Sequence, residues 1–221
     1  MSVKRMLLLF FSLSIVSNVY AGGGREDSKT QQLSGEGVIS FITGEVTLNG
    51  ESTSIGSKVA VGDRIETGSD SFCEVLFGKR NIFRLESGSS LRFGGPEFNL
   101  DKGSIALVTS KLKKIAFNAD SLSVRTSSAV AGVRGTVFFI KKEDENNTYV
   151  CICNGQINTY DRSGNDKKSD KAGHHKAMRI TLSGGSVTRA NAPLLYHDDA
   201  LMEEVASKIG VVIKWSSEEP Y

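Results

Sequence analysis

Between residues 33 and 160 the chain never runs apolar for long and never settles into a helical stripe. Short clusters return about every 8–12 residues: Val38-Ile39-Ser40-Phe41-Ile42, Glu45-Val46-Thr47-Leu48, Val59-Ala60-Val61, Glu74-Val75-Leu76-Phe77, Ile82-Phe83-Arg84-Leu85, Ser104-Ile105-Ala106-Leu107-Val108 and Val137-Phe138-Phe139-Ile140. Turn residues separate them at Asn49-Gly50, Gly62-Asp63, Thr67-Gly68, Ser87-Gly88, Gly94-Gly95-Pro96 and Lys102-Gly103. A helix that packs on a core needs a sustained 3.6-residue period, so a helical bundle is excluded over this stretch. The spacing predicts a mainly β fold, a compact stack of short strands arranged as a sandwich, barrel or solenoid. Asn49-Gly50 reads as a hairpin turn, because both residues tolerate positive φ. In Gly62-Asp63 the carboxylate is expected to accept local backbone N–H groups. Gly135, between Arg134 and Thr136, suggests close backbone approach within a strand, and Arg134 reads as a buried cation satisfying turn carbonyls, ahead of an anion ligand.

The two ends differ from this body. Lys4 and Arg5, the apolar run from Met6 to Val16 and the small-residue signature Val19-Tyr20-Ala21 predict a secretory signal over 1–21, with Gly22 the mature N-terminus. The apolar run is about half the ~20 residues that a bilayer requires, and no later stretch reaches that length. Residues 22–32 read as a flexible tether. Without Lys4 and Arg5, the 27 basic residues fall to 25 against 25 acidic ones, a balance that argues against phosphate-backbone or anionic-lipid binding. The expected location is periplasmic or secreted, with no membrane span after signal cleavage.

Beyond the β domain at 33–160, residues 161–221 form a C-terminal extension. Residues 161–173 carry seven charges and no large apolar residue, and read as a solvated loop. A strand around 176–182 and a turn at Gly184-Gly185 follow. Asp198 or Asp199 can then cap a short helix near 198–209 whose stripe is Leu201, Val205 and Ile209.

The extension also holds the chemistry. Every histidine and two of the three cysteines lie between 151 and 197. In Cys151-Ile152-Cys153, period two puts both thiols on one face of a strand. Their Cα atoms, ~6.6 Å apart, suit two bonds of ~2.3 Å to one ion better than a direct disulfide. His174 and His175 can fold back beside them, although adjacent residues of a regular strand point to opposite sides unless the backbone bends. His197 is the candidate further ligand. Cys151, Cys153, His174, His175 and His197 are therefore the candidate metal ligands, for a zinc or copper ion that would protect the thiols in an oxidising compartment. Two alternatives stand beside this: a disulfide, including one to Cys73, and inert buried thiols. Nothing in the spacing supports a nucleophile elbow, a phosphate loop or a zinc-protease helix, so no catalytic residues are expected.

An ordered set of pieces resembles the FecR-domain family. It comprises Gly44-Glu45-Val46, Val61-Gly62-Asp63-Arg64-Ile65-Glu66-Thr67-Gly68, Leu85-Glu86-Ser87-Gly88-Ser89-Ser90-Leu91, Leu100-Asp101-Lys102-Gly103, Ser123-Val124-Arg125-Thr126, Val133-Arg134-Gly135-Thr136-Val137-Phe138 and Asn154-Gly155-Gln156-Ile157. The resemblance covers about 36–160 and implies a non-enzymatic all-β module outside the inner membrane, whose best-known members pass an iron-receptor signal to a sigma factor. The Cys-x-Cys, His-His and later His pattern is similar to a tail found on some exported FecR-domain proteins. The expected function is a non-catalytic binding or signalling module of the bacterial cell envelope, compatible with an envelope protein partner. The alternative is a metal- or cofactor-binding redox protein using Cys151, Cys153 and the histidines.

Overall fold

The alternation read from the sequence becomes two sheets that share two strands. The computed structural model describes residues 36–78, 80–109, 122–133 and 135–216. The leader, the tether and Arg134 lie outside the described residues. In chain order the strands are β1 (Gly37–Thr43), β2 (Val46–Leu48), β3 (Glu51–Ser52), β4 (Lys58–Val59), β5 (Arg64–Thr67), β6 (Phe72–Phe77), β7 (Asn81–Leu85) and β8 (Ser90–Arg92). They continue as β9 (Glu97–Thr109), β10 (Leu122–Arg125), β11 (Val130–Val133), β12 (Val137–Lys142), β13 (Asn147–Tyr160), β14 (Lys168–Ala172), β15 (Lys176–Ser183) and β16 (Ser186–Asn191). Helix α1 (Asp199–Ser207) follows. The described residues are mainly β with one short C-terminal helix, as the sequence predicts. Among the described residues no helix is long and apolar enough to cross a membrane.

The first sheet runs β4-β1-β6-β7-β9-β12-β13-β15-β16, and the second runs β3-β2-β5-β8-β9-β10-β11-β13-β14. Among the described residues all pairs are antiparallel except β9 with β10. Strands β9 and β13 span 13 and 14 residues, longer than the short strands expected, because each crosses from one sheet into the other. Both turn the corner at glycine: Gly103 has φ 78° and Gly155 φ 123°. A Cβ on Gly103 would lie 2.6 Å from Ser89 Cα, and one on Gly155 3.1 Å from Thr136 Cα, so these corners admit no side chain without movement.

The inward faces of the two sheets enclose an apolar interior. At its centre Phe98 contacts Phe77, Phe83 and Phe93, with ring centroids 5.3, 5.3 and 4.9 Å away. The outward face of the first sheet is also apolar, presenting Ala106, Val108, Phe139, Tyr149 and Ala177. Residues 192–216, including α1, cover it. Asp198 caps α1, its Oδ1 accepting from the Leu201 N–H at 2.9 Å. The buried seam is Met202, Val205 and Ala206 rather than Leu201, Val205 and Ile209. The helix stops at Ser207 and Gly210 (φ 66°) turns the chain, so Ile209 lies beyond it and Leu201 rides only half-buried at its edge.

Several local expectations hold. Asn49 (φ 56°) and Gly50 (φ 85°) join β2 to β3, and Asp63 Oδ2 accepts from the Ala60 N–H at 2.7 Å. Two others change. Gly135 (φ 61°) makes a bend between β11 and β12 rather than a close approach within a strand. The charged stretch 161–173 contains β14, which pairs with β13 and buries Asp170 against Lys176 Nζ at 2.8 Å. Charge hid this strand, because its one buried side chain is Asp170 and Ala172 alone adds apolar contact with the interior.

Candidate metal centre

Strand β13 sets the site through its alternation. Val150 and Ile152 point into the interior, whereas Tyr149, Cys151 and Cys153 point outward under the C-terminal cover. Both thiols are fully buried. Pairing of β15 with β13 aligns Ile152 with Lys176, and the His175 N–H donates to the Cys153 carbonyl at 3.2 Å. One step past that ladder the backbone bends, with His175 at φ 26°. The bend lets His174 and His175 serve the same side, which a regular strand forbids. A second left-handed residue, Tyr196 (φ 69°), precedes His197. Two non-glycine residues in this region of backbone space at one location mark a site held in place by its surroundings.

The donor atoms of Cys151, Cys153, His175 and His197 all lie within 4.8 Å of one another. Cys151 Sγ is 3.5 Å from His175 Nδ1, and Cys153 Sγ is 3.3 Å from His197 Nε2. A tetrahedral ion with M–S ~2.3 Å and M–N ~2.0–2.1 Å requires donor-to-donor edges of roughly 3.3–3.8 Å. The two Cys–His separations fall within this range, and the remaining pairs lie within 4.8 Å.

Outer partners fix which nitrogen each ring offers. The His197 Nδ1–H donates to the Leu195 carbonyl at 2.9 Å, leaving Nε2 toward Cys153. The His175 Nε2–H donates to Asp199 Oδ1 at 2.5 Å, leaving Nδ1 toward Cys151. These hydrogen bonds assign the tautomers, and a carbonyl or carboxylate behind each imidazole is the usual support of a metal-ligating histidine. Phe139 stacks on His197 at 4.5 Å and 9°, and Trp215 on His175 at 5.3 Å and 27°, walling the site with aromatic surface.

The charges are consistent with this arrangement. The Cys153 thiol, followed by the His175 and His197 imidazoles, holds the Cys151 thiol down at about 4 against the opposing effect of burial. Burial, then the neighbouring Cys151, pushes Cys153 up. At His175 burial pulls downward, but hydrogen bonds to Cys151 and Asp199 prevail and the imidazole is raised. Asp199 is lowered: burial opposes this, and His175 and His174 outweigh it. In the protonated state His175 donates to a thiolate on one side and a carboxylate on the other. Its Nδ1 can hold that proton or a metal ion, but not both.

His174 takes a different place from the other candidates. Its Nε2 meets both oxygens of Asp199 at 3.1 Å, in a separate group with His175 and Asp199, so it supports the carboxylate rather than facing the thiols. Asp199 itself was legible only as a helix cap. Of the two adjacent aspartates Asp198 caps, which frees Asp199 for the imidazoles. Cys73 lies in the interior cluster, on the opposite side of the first sheet from Cys151 and Cys153, so a disulfide to it is excluded by position.

The family model described as FecR protein matches residues 63–158. The chain carries a FecR domain. Two crystal structures of a proposed anti-sigma factor from Parabacteroides distasonis ATCC 8503 are each 14% identical to the chain, with a TM-score of 0.44. The match covers 58% of this chain and 59% of theirs, less than two thirds of their length. No curated protein matches the chain. Within the FecR domain sit Cys151 and Cys153; His174, His175, His197 and Asp199 come from beyond the matched residues.

Proposed function

We propose that the chain is an exported, non-catalytic FecR-type module of the bacterial cell envelope that acts by binding or signalling. The FecR match over 63–158 carries this reading. The leader pattern at 1–21 supports export, and the neutral charge balance of the remainder favours a protein partner over nucleic acid or lipid. The test is fractionation of cells producing the full chain, followed by in-situ cross-linking. Recovery of a shortened chain beginning at Gly22 outside the inner membrane, cross-linked to an envelope protein, is expected. A chain that still contains Met1 and stays in the cytoplasm overturns the reading.

A second reading rests on one specific observation, the four convergent donors. In it the FecR module also holds a metal ion between Cys151, Cys153, His175 and His197. Metal content of full-length protein purified without chelator tests it. Equal, negligible metal in the wild type and in a Cys151→Ser/Cys153→Ser variant overturns it.

A further inference from the structure

Resting on the metal-holding reading, we infer that the ion is zinc and that it clasps the C-terminal cover, residues 192–216, onto the outward face of the first sheet. The donor set decides the ion. Two thiolates and two imidazoles, with Cys–His separations of 3.5 and 3.3 Å close to tetrahedral edges, suit Zn²⁺, whereas Cu²⁺ prefers square-planar or tetragonal sites. Four protein donors fill the shell and leave no position for substrate, which is the arrangement of structural zinc rather than catalytic zinc.

The location of the donors decides the role. Cys151 and Cys153 belong to the sheet, and His197 belongs to the cover. His175 sits at the turn into β15, and through Asp199 it also reaches the first residue of α1. One ion therefore joins sheet and cover directly at His197 and indirectly at Asp199. The cover needs such a joint. Helix α1 has nine residues, fewer than the ~12–15 at which an isolated helix is even marginal in water, so it persists only while docked. The cover's other polar holds are single contacts spread along its length, among them Ala192 N–H to the Ala177 carbonyl, Tyr196 Oη to Glu143, His174 to Asp199 and Ser216 N–H to the Gly173 carbonyl. Tyr149 Oη donates to the Pro193 carbonyl and accepts from the Leu195 N–H, Arg84 pairs with half-exposed Glu204, and Asn154 donates to the Lys214 carbonyl. Beneath the cover lies apolar surface from Val108, Phe139 and Ala177, so zinc occupancy sets whether that surface is shielded.

Amide hydrogen exchange on the full chain, with zinc as the added metal, tests the clasp. The reporters are the N–H groups of Ala192, Leu195, Val211 and Ser216, whose bonds run within the cover or from it to the sheet. Zinc binding at one ion per chain should slow their exchange by about tenfold or more, and chelator should reverse it. Exchange in β6 and β7 should not change. His197→Gln should abolish the slowing, and as a substitution in the cover it keeps the test open if the Cys151→Ser/Cys153→Ser variant does not fold. Zinc bound with no change at the four reporters overturns the clasp and leaves the metal reading standing. So does equal slowing throughout β6 and β7. Failure to bind zinc while Cu⁺ binds overturns the choice of ion, and failure to bind any metal overturns both readings.

Discussion

The first sheet has cysteines on both of its faces. Cys73, on β6, faces the interior among apolar side chains, and burial, then Glu74 and Glu86, pushes its thiol up to about 12. Cys151 and Cys153, on β13, are just as inaccessible but face outward, where imidazoles hold the Cys151 thiol down at about 4 after Cys153 itself. Exposure is therefore not what separates an inert thiol from a potential ligand. The difference lies in which neighbours the alternation of the strand supplies: hydrocarbon inside, ionisable groups under the cover.

The contrast between the layers can be broken by substitution. The largest effect is expected inside. Phe98→Ala should lower the unfolding free energy by about 3–5 kcal/mol in urea titrations, with the outer site lost in the same transition. A cost below about 1 kcal/mol would mean that the interior is not the dominant layer.

Outside, Arg84 is the sharper probe. It sits 3.0 Å from Glu74 and 2.6 Å from Glu204, and both Arg84 and Glu74 are buried. Arg84→Ala leaves Glu74 without its cation and should cost about 3 kcal/mol by the same titration. Glu204→Gln, on the half-exposed partner, should cost about 0–1 kcal/mol. Equal costs would show that the ion pair to the helix, rather than the buried pair within the sheet, holds this face.

A pH series sharpens the comparison of thiols. In metal-free protein the Cys151 thiol is depressed from an ordinary value near 8.5 to about 4, so its stabilising effect is present in full above the ordinary value and fades as pH falls through about 4. The stability difference between the wild type and Cys151→Ser should therefore grow from pH 4 to pH 6, below the ordinary range of His175, where the imidazole is protonated in both states. Cys73→Ser should show no such slope, because its thiol is protonated throughout that range whether folded or unfolded. A flat Cys151→Ser series would place the thiol on the same footing as Cys73. A small effect is also expected from Asp198→Ala, about 1 kcal/mol for the lost helix cap, read from thermal unfolding.

Much of this arrangement was legible in the sequence, for a local reason. Strand alternation is a property of neighbouring residues, so the shared face of Cys151 and Cys153 follows from their spacing alone, as do the turns at Asn49-Gly50 and Gly62-Asp63. Three features were hidden because each depends on something distant. The bend at His175 exists only because β15 ends its ladder against β13 there. The division of labour between Asp198 and Asp199 depends on where α1 docks, and the same docking rotates the buried seam onto Met202, Val205 and Ala206. Strand β14 was masked by its charges, since its pairing with β13 is decided by backbone hydrogen bonds that composition does not record.

The glycine corners at Gly103 and Gly155 have a kinetic consequence. Because β9 and β13 each run through both sheets, neither sheet can be finished separately: half of each shared strand would be left with unpaired edges. Strand β13 is synthesised late, so a nascent chain holding everything through β12 still lacks the partner that β11 and β12 require. Folding should then be a single cooperative event after most of the chain is available, at the slow ms–s end expected of β topologies with distant pairings. A bulky residue at Gly155 would act first on that rate, by denying β13 its turn from one sheet to the other at the moment both sheets must close.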